Sequence, residues 1–166
     1  MKKLILVFLI ISAFLNSCKD RDDFMALSSK KVVKKYFLRG DGVWNIDEMR
    51  VWIYNEQFET IIYDVARENV GEITFKKDNL FDVVFEKDTI DFHYLTFEST
   101  KGHSWEYLAG DIEWRNTNDD LVAFGHTITI DKKNMVLMFP SNKNTFITTK
   151  VLFWKNVEFQ LKLSKK

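Results

Sequence analysis

Val157-Glu158-Phe159-Gln160-Leu161-Lys162-Leu163-Ser164 alternates apolar and polar residues from its first position to its last. This period of two is typical of a β-strand that buries one face and exposes the other to water. From Gly42 onward the chain keeps nearly the same period, with turn residues between the apolar runs. Aromatic residues make up 15% of the chain and Pro occurs once, which favours strands over helical bundles. The sequence therefore predicts an all-β domain.

Further strands are predicted upstream of this one. They begin with Gly42-Val43-Trp44 and recur at 58–65, 80–86, 89–98, 104–114, 121–130 and 147–153. In the run from residue 89 the apolar positions change parity near Tyr94 and Leu95, which predicts a β-bulge. A count of about eight to ten short strands predicts a single antiparallel up-and-down barrel, with a β-sandwich as the alternative. Helical spacing of apolar residues between positions 24 and 38 allows one short helix before the strands.

Two segments resemble the same hairpin written twice. Residues 73–81 and residues 128–136 each enter a turn of Lys, Asp and Asn from a β-rich run and leave it as a second apolar run. That pattern predicts two sequential antiparallel connections. An internal duplication and two independent hairpins account for it equally well.

The N-terminus has the order of a secretory signal peptide. Lys2 and Lys3 precede an apolar run over residues 4–15, which is too short to span a bilayer as a helix. The run ends in Leu15-Asn16-Ser17-Cys18, which resembles a bacterial lipobox. The resemblance implies that Cys18 receives a diacylglycerol thioether, becomes the new N-terminus and is then N-acylated. The alternative is an ordinary secretory signal with a chance cysteine.

Three segments follow from this assignment. Residues 1–17 are the lipoprotein signal peptide, residues 18–27 the acylated cysteine with a charged tether, and residues 28–166 the β domain. The tether sequence Lys19-Asp20-Arg21-Asp22-Asp23 looks like the acid-rich export signal of surface lipoproteins in Bacteroidota. We therefore expect a lipid-anchored protein of the outer membrane, at its periplasmic face or on the cell surface.

The charge and cysteine content of the chain limit how the domain is stabilised and which classes of partner it binds. Cys18 is the single cysteine, so the domain has no disulfide and depends on its hydrophobic core. The formal charge of zero becomes about −2 when Lys2 and Lys3 leave with the signal peptide. No half of the chain is strongly basic, so neither a nucleic acid nor an anionic membrane surface is indicated as a partner. The acyl chains on Cys18 are the expected membrane attachment.

Gly42-Val43-Trp44 adds a family resemblance. This G-x-W at the start of the first long strand resembles the opening strand of lipocalins, the calycin-type barrels, and of lipocalin-like lipoproteins of Bacteroidota. The resemblance implies an up-and-down barrel in which Trp44 closes the bottom and packs against a basic side chain near the end of the last strand. Lys162 and Lys155 are the candidates for that side chain. The family's Thr-Asp-Tyr motif does not occur in this chain.

The expected function is non-catalytic binding of a small apolar ligand inside the barrel. The residues predicted to face that ligand are Trp52, Tyr54, Phe92, Tyr94, Phe124 and His126. His126 shares its strand face with apolar neighbours, which also fits a core histidine hydrogen-bonded to a backbone carbonyl. If those side chains instead fill the barrel, the protein is an interaction module that docks onto another envelope protein. An enclosed apolar volume of about 300 Å³ or more separates the first case from the second.

A glycan-binding lipoprotein is the third alternative. It rests on aromatic rings interleaved with the carboxylates Glu106, Asp111 and Glu113, and requires that Trp105 and Trp114 be exposed and coplanar. Trp105 follows a Lys-Gly-His-Ser loop, so we expect it at a strand end and less buried than Trp44.

Catalytic, metal and cofactor motifs are absent from the sequence. It contains no Gly-rich phosphate loop, no G-x-S-x-G and no H-E-x-x-H. His93, His103 and His126 are not at metal-ligand spacing, and the Asn-Asp run at 116–120 lacks the glycine and glutamate of a calcium-binding loop. We therefore expect that the protein is not an enzyme and that it binds neither a metal ion nor a cofactor.

Overall fold

Strands dominate the structure, a computed structural model that describes residues 27–55, 57, 59–93, 95–140 and 157–166. A short helix, α1 (Ser29–Val32), continues into a π-helical turn over Val33–Phe37. No helix in the described ranges is both long and apolar enough to cross a bilayer. The strands are β1 (Val43–Tyr54), β2 (Ile61–Phe75), β3 (Leu80–Phe85), β4 (Thr89–Phe92), β5 (Leu95–Glu98), β6 (Thr100–Leu108), β7 (Asp111–Arg115), β8 (Leu121–Ile130), β9 (Asn134–Phe139) and β10 (Val157–Lys165).

Eight of these strands close into one antiparallel barrel in the order β1-β10-β9-β8-β7-β6-β3-β2. Barrel neighbours follow one another along the chain, apart from the separate two-stranded sheet β4–β5 between β3 and β6 and the closing pair β1–β10. The predicted all-β, up-and-down barrel with one short helix is therefore confirmed. Closure excludes the β-sandwich, since a sandwich consists of two separate sheets.

The barrel has two unlike ends. The helix end carries α1, the start of β1, the finish of β10, and the turns that follow β2, β6 and β8. The hairpin end carries β4–β5 and the connections that follow β1 and β7. Backbone hydrogen bonds join separate segments at the helix end: the Phe75 N–H donates to the Gly42 carbonyl (3.0 Å), and the Lys165 N–H donates to the Lys133 carbonyl (2.7 Å).

Two predicted strands are hairpins instead. Residues 89–98 form β4 and β5 around a turn that includes His93 (φ 55°), so the predicted bulge is wrong. Residues 104–114 divide at Ala109 and Gly110, whose φ values are both positive (51° and 101°) as in a two-residue hairpin turn. A two-residue turn and a bulge produce similar breaks in an alternating pattern, which is why sequence did not separate them. The predicted strand at 147–153 lies outside the described residues.

The two look-alike segments are confirmed as hairpins. The first is β2–β3 and the second is β8–β9, and both are antiparallel. The Asp131 carboxylate closes the second turn by accepting the backbone N–H groups of Lys133 (2.6 Å) and Asn134 (2.7 Å). Because the barrel is a meander, both turns lie at the helix end.

Trp44 closes the helix end, as expected from the G-x-W resemblance. Its side chain is fully buried, and its Nε1–H donates to the Phe37 carbonyl at 3.1 Å. The cation over the indole is Lys165, whose Nζ lies 5.6 Å from the ring centroid. Lys162, one of the two expected partners, pairs with Glu48 on the outer wall, and Lys155 lies outside the described residues.

Candidate functional site: the barrel interior

The barrel interior is almost filled. A cavity of about 60 Å³ remains, walled by apolar side chains with His103 and Glu98 at its margin. A drug-sized ligand site usually measures about 300–1,000 Å³, so this space is several times too small. The lining residues are Ile46, Met49, Phe81, Val83, Phe85, Phe97, Glu98, Thr100, His103, Trp114, Val122, Ala123, Phe159 and Leu161.

Aromatic rings occupy the space that a ligand would need. Phe139 and Phe159 stack face to face with centroids 4.3 Å apart and planes 6° apart. Trp114 packs against Phe139 at 4.4 Å and against Phe81 at 4.9 Å. These rings come from four strands around the barrel, so they fix the interior as one packed cluster.

The β4–β5 hairpin packs over the hairpin end of this cluster. Phe92, Leu95 and Phe97 of the hairpin are buried. The Phe97 ring lies 5.6 Å from Phe159, and the Arg67 guanidinium lies 5.9 Å from the Phe92 ring on the other side. The hairpin therefore extends the core rather than standing apart from it.

A few polar atoms are enclosed in the interior. The Nε1–H groups of Trp105 and Trp114 are buried without a hydrogen-bond partner. Desolvation lowers the pKa of His103 below its ordinary value, and the nearby Asp82 carboxylate partly opposes this. Trp114 and His103 both border the cavity. The cavity wall therefore contains one imidazole and one indole whose Nε1–H has no acceptor among the described residues.

Two of the predicted pocket residues, Trp52 and Tyr54, lie on the outer wall. They alternate with the buried residues Val51 and Ile53 of β1. Trp52 packs under the Arg50 guanidinium at 5.2 Å, and the Tyr54 hydroxyl donates to Glu158 at 2.9 Å. Burial and the Glu158 carboxylate raise the pKa of Tyr54.

Phe124 and His126 also lie on the outer wall, because the small residues Ala123 and Gly125 occupy the inner positions of β8. His126 contacts the edge of Phe124, and its Nδ1 lies 2.6 Å from Asp111 Oδ1. Its side chain is 44% exposed, so it is not the core histidine that the alternative interpretation described.

Phe92 is the one member of the predicted set that the structure places inside, where it packs on Phe97 at 5.8 Å. Tyr94 and Cys18 lie outside the described residues. The structure therefore does not bring the predicted set together around one space. It shows instead an inner cluster of Phe81, Phe97, Trp114, Phe139 and Phe159, which sequence reasoning did not select as the barrel interior.

The tryptophans of the proposed glycan cluster are interior residues. Trp105 is 3% exposed and Trp114 is 8% exposed, and they pair across β6 and β7 inside the barrel. The carboxylates Glu106 and Glu113 pair on the opposite, outer face of the same strands. The exposed aromatic platform that a sugar site requires is therefore not formed by these residues.

The histidines are dispersed as well. His93, in the turn of the β4–β5 hairpin, stacks on Tyr63 of β2. His103 borders the cavity, and His126 lies on the outer wall. Within the described ranges, no three side chains of the metal-ligating types converge on a common point.

Comparison with protein-family models, with curated proteins and with solved structures found no match to this chain.

Proposed function

We propose that this protein is a lipid-anchored outer-membrane lipoprotein whose lipocalin-like barrel is a non-catalytic module that docks onto another envelope protein. The observation that carries the proposal is the interior, because a cavity of about 60 Å³ leaves no room for a ligand of ordinary size. The strands then form a rigid scaffold, and residues on the surface of the barrel make the contacts with a partner.

The anchor is supported by the sequence Leu15-Asn16-Ser17-Cys18 and by the short charged stretch after it. From Cys18 to Leu27 the chain can extend by roughly 30 Å. A module on so short a tether remains near the bilayer, which raises its effective concentration for partners in the same membrane.

The anchor is tested by the substitution Cys18→Ser. The variant should lose both the thioether and the cleavage site, so that signal-peptide processing stops and no processed, acylated protein appears in the detergent phase. A variant that is cleaved normally and still fractionates with membranes would contradict the lipoprotein assignment.

A second candidate is binding of a very small molecule in the remaining cavity. The observation that favours it is Trp114, which lines the cavity and whose Nε1–H is buried without an acceptor among the described residues. A buried polar group of this kind is normally satisfied by protein, water or ligand. At about 60 Å³ the cavity holds a few atoms with one hydrogen-bond acceptor, but not a lipid.

Native mass spectrometry of the protein extracted from its own membrane, together with titration of an apolar fluorescent probe, separates these functions. We expect wild-type protein to carry no tightly bound lipophile and to bind the probe without saturation, whereas Phe159→Ala opens the stacked cluster and gains saturable binding. Saturable, displaceable binding to wild-type protein would contradict the docking proposal and restore the ligand-carrier function.

A further inference from the structure

The helix end of the barrel presents a basic surface. It is formed by seven exposed cations from the helical segment, from the second residue after it, and from the turns that follow β2 and β8: Lys30, Lys31, Lys34, Arg39, Lys77, Lys132 and Lys133. None of these seven forms an ion pair with another described residue. Their charges are therefore available to an external partner.

The fold assembles this surface from distant parts of the sequence. The meander brings the turns after β2 and β8 to the same end as α1, and the Ser29 hydroxyl accepts the Ala109 N–H (2.9 Å) of a third turn there. No half of the chain is basic, which is why composition alone argued against an anionic partner.

Carboxylates at the same end do not cancel the charge. Asp41 pairs with Lys165 and Glu72 pairs with Lys166, so these two pairs are internally neutral. Asp78 and Asp131 accept backbone N–H groups of their own turns. A third carboxylate at this end, Asp111 at the start of β7, lies beside His126. Against the seven unpaired cations, these three carboxylates leave a surplus of four positive charges.

Two apolar side chains stand exposed beside the same end. Leu108 is 65% exposed at the finish of β6, and Ile128 is 52% exposed near the finish of β8. The Thr127 N–H donates to Gly110 at 2.7 Å, so these two side chains flank one turn. That turn contacts Ser29, close to where the described chain begins. Cations beside isolated exposed apolar residues are typical of surfaces that rest on lipid headgroups.

We infer that the helix end is a membrane-docking surface that binds the anionic phosphate headgroups of the bilayer. The orientation of the barrel relative to the bilayer rests on the proposed lipid anchor, because the described chain begins at this end, next to the tether. The cations contact lipid phosphates while Leu108 and Ile128 reach the interfacial region. Exposed carboxylates lie at the hairpin end, including Glu59, Glu86, Asp88, Asp91, Asp119 and Asp120, and they face away from the bilayer.

The test is sedimentation of the mature chain, from residue 18 onward and without acyl groups, with lipid vesicles. We expect binding to phosphatidylcholine vesicles that contain roughly 30% phosphatidylglycerol, little binding to pure phosphatidylcholine, and weakening as salt rises. Since the acyl groups are absent, this result does not depend on the lipobox. Loss of the anchor proposal through Cys18→Ser would therefore leave the vesicle result intact.

The variants compare the two ends at equal net charge. Lys30→Glu with Lys34→Glu should weaken binding to the anionic vesicles at least tenfold. The matched control Lys87→Glu with Lys101→Glu, toward the hairpin end, should bind as wild type does. Lys132→Glu with Lys133→Glu is a second helix-end variant for use if the first does not fold, as judged by far-UV circular dichroism.

Three outcomes would overturn the inference. The first is no preference of the wild-type chain for anionic vesicles. The second is equal loss in the helix-end and hairpin-end variants, which would show that net charge alone matters. The third is binding to an anionic oligonucleotide or polyglutamate with no binding to the vesicles, which would assign the basic surface to another polyanion.

Discussion

Trp44 joins three parts of the chain at one residue. Its indole N–H donates to the Phe37 carbonyl of the helical segment, its backbone pairs with Lys165 of β10 and Ile73 of β2, and the Lys165 ammonium lies over its ring. Lys165 also donates to Asp41 at 3.0 Å and to the Val43 carbonyl. A single side chain therefore ties the helical segment to the strands that close the barrel.

Truncation of Trp44 to Ala should lower the free energy of unfolding by about 3–5 kcal/mol, the usual range for a buried tryptophan. Trp105→Ala should cost a similar amount, since Trp105 is buried against Phe37 (5.0 Å) and Phe75 (4.8 Å). This differs from the sequence-based expectation that Trp105 lies at a strand end. Trp52→Ala, on the outer wall, is the matched control and should cost about 1 kcal/mol or less. Urea unfolding measures all three, and a small loss for Trp44→Ala would contradict its role.

His103 should make stability depend on pH just below neutrality. Burial lowers its pKa in the folded protein relative to the ordinary value of 6.5, so the unfolded chain binds the proton first. The free energy of unfolding should therefore fall as pH drops through 6.5 toward the lower folded-state value, and recover as pH rises. His103→Gln should flatten that part of the profile in urea titrations at closely spaced pH values. An unchanged slope in the variant would assign the effect to other groups.

Bulges in the strands explain why the sequence predicted the fold class and the closing tryptophan but not the interior. Trp44 and Ile46 point inward on even positions, the bulge at Asp47 shifts the register, and Met49 is then the next inward residue. A period of two carried past the bulge places Trp52 and Tyr54 inside, where Val51 and Ile53 are found. Asp47 and, in the facing part of β2, Asn69 (φ 51°) are the turn-type residues at this bulge, but they lie within apolar and polar runs that otherwise continue the strands. The position of the bulge is therefore defined by pairing with β2 and β10.

Strand β8 shows a second limit of pattern reading. Its apolar residues Phe124 and Ile128 suggested the inner face, but the inner positions are held by Ala123, Gly125 and Thr127. Small residues are needed there because the large rings of β7, β9 and β10 already fill the space. Packing volume across the barrel decides this arrangement, and it cannot be read from one strand alone.

Gly125→Ala should therefore be destabilising although only a methyl group is added. A Cβ at this position would lie 2.6 Å from the Phe139 ring and 2.7 Å from the Met138 carbonyl oxygen. Overpacking of this kind costs about 1–3 kcal/mol. The comparison is Gly102→Ala, where a Cβ meets nothing within 4 Å and only the positive φ of 70° opposes the change. Thermal unfolding that ranks Gly102→Ala as clearly the more harmful would contradict the packed interior.

At the scale of the whole molecule, stability depends on closing the ring of strands. The closing pair β1–β10 joins residues more than a hundred positions apart, and β10 also pairs with β9. Without it the barrel becomes an open sheet with two edges and an exposed core. Closing so long a loop has an entropic cost, and only the contacts of this last strand pair offset that cost.

A chain that ends at Gln160 should consequently lose cooperative folding altogether. It lacks Leu161 and Leu163, which are buried, and Lys165, which lies over Trp44. Removal of Lys166 alone is the control and should change stability by about 0.5 kcal/mol or less, because its ion pair is exposed. Near-UV circular dichroism and urea unfolding distinguish the two, and a cooperative transition in the shorter chain would contradict the dependence on closure.

Eight is an even number of barrel strands, so β1 starts and β10 finishes at the same end. A fluorescent protein fused after Lys166 would therefore emerge on the basic surface, between the barrel and the membrane in the proposed orientation, and would act as a spacer there. Insertion of the same tag into the exposed turn at 117–119 would place it on the far side, clear of the lipid. For the same reason, a short linker could join residue 166 to residue 27, and a circular permutant opened in that turn would retain every strand pair.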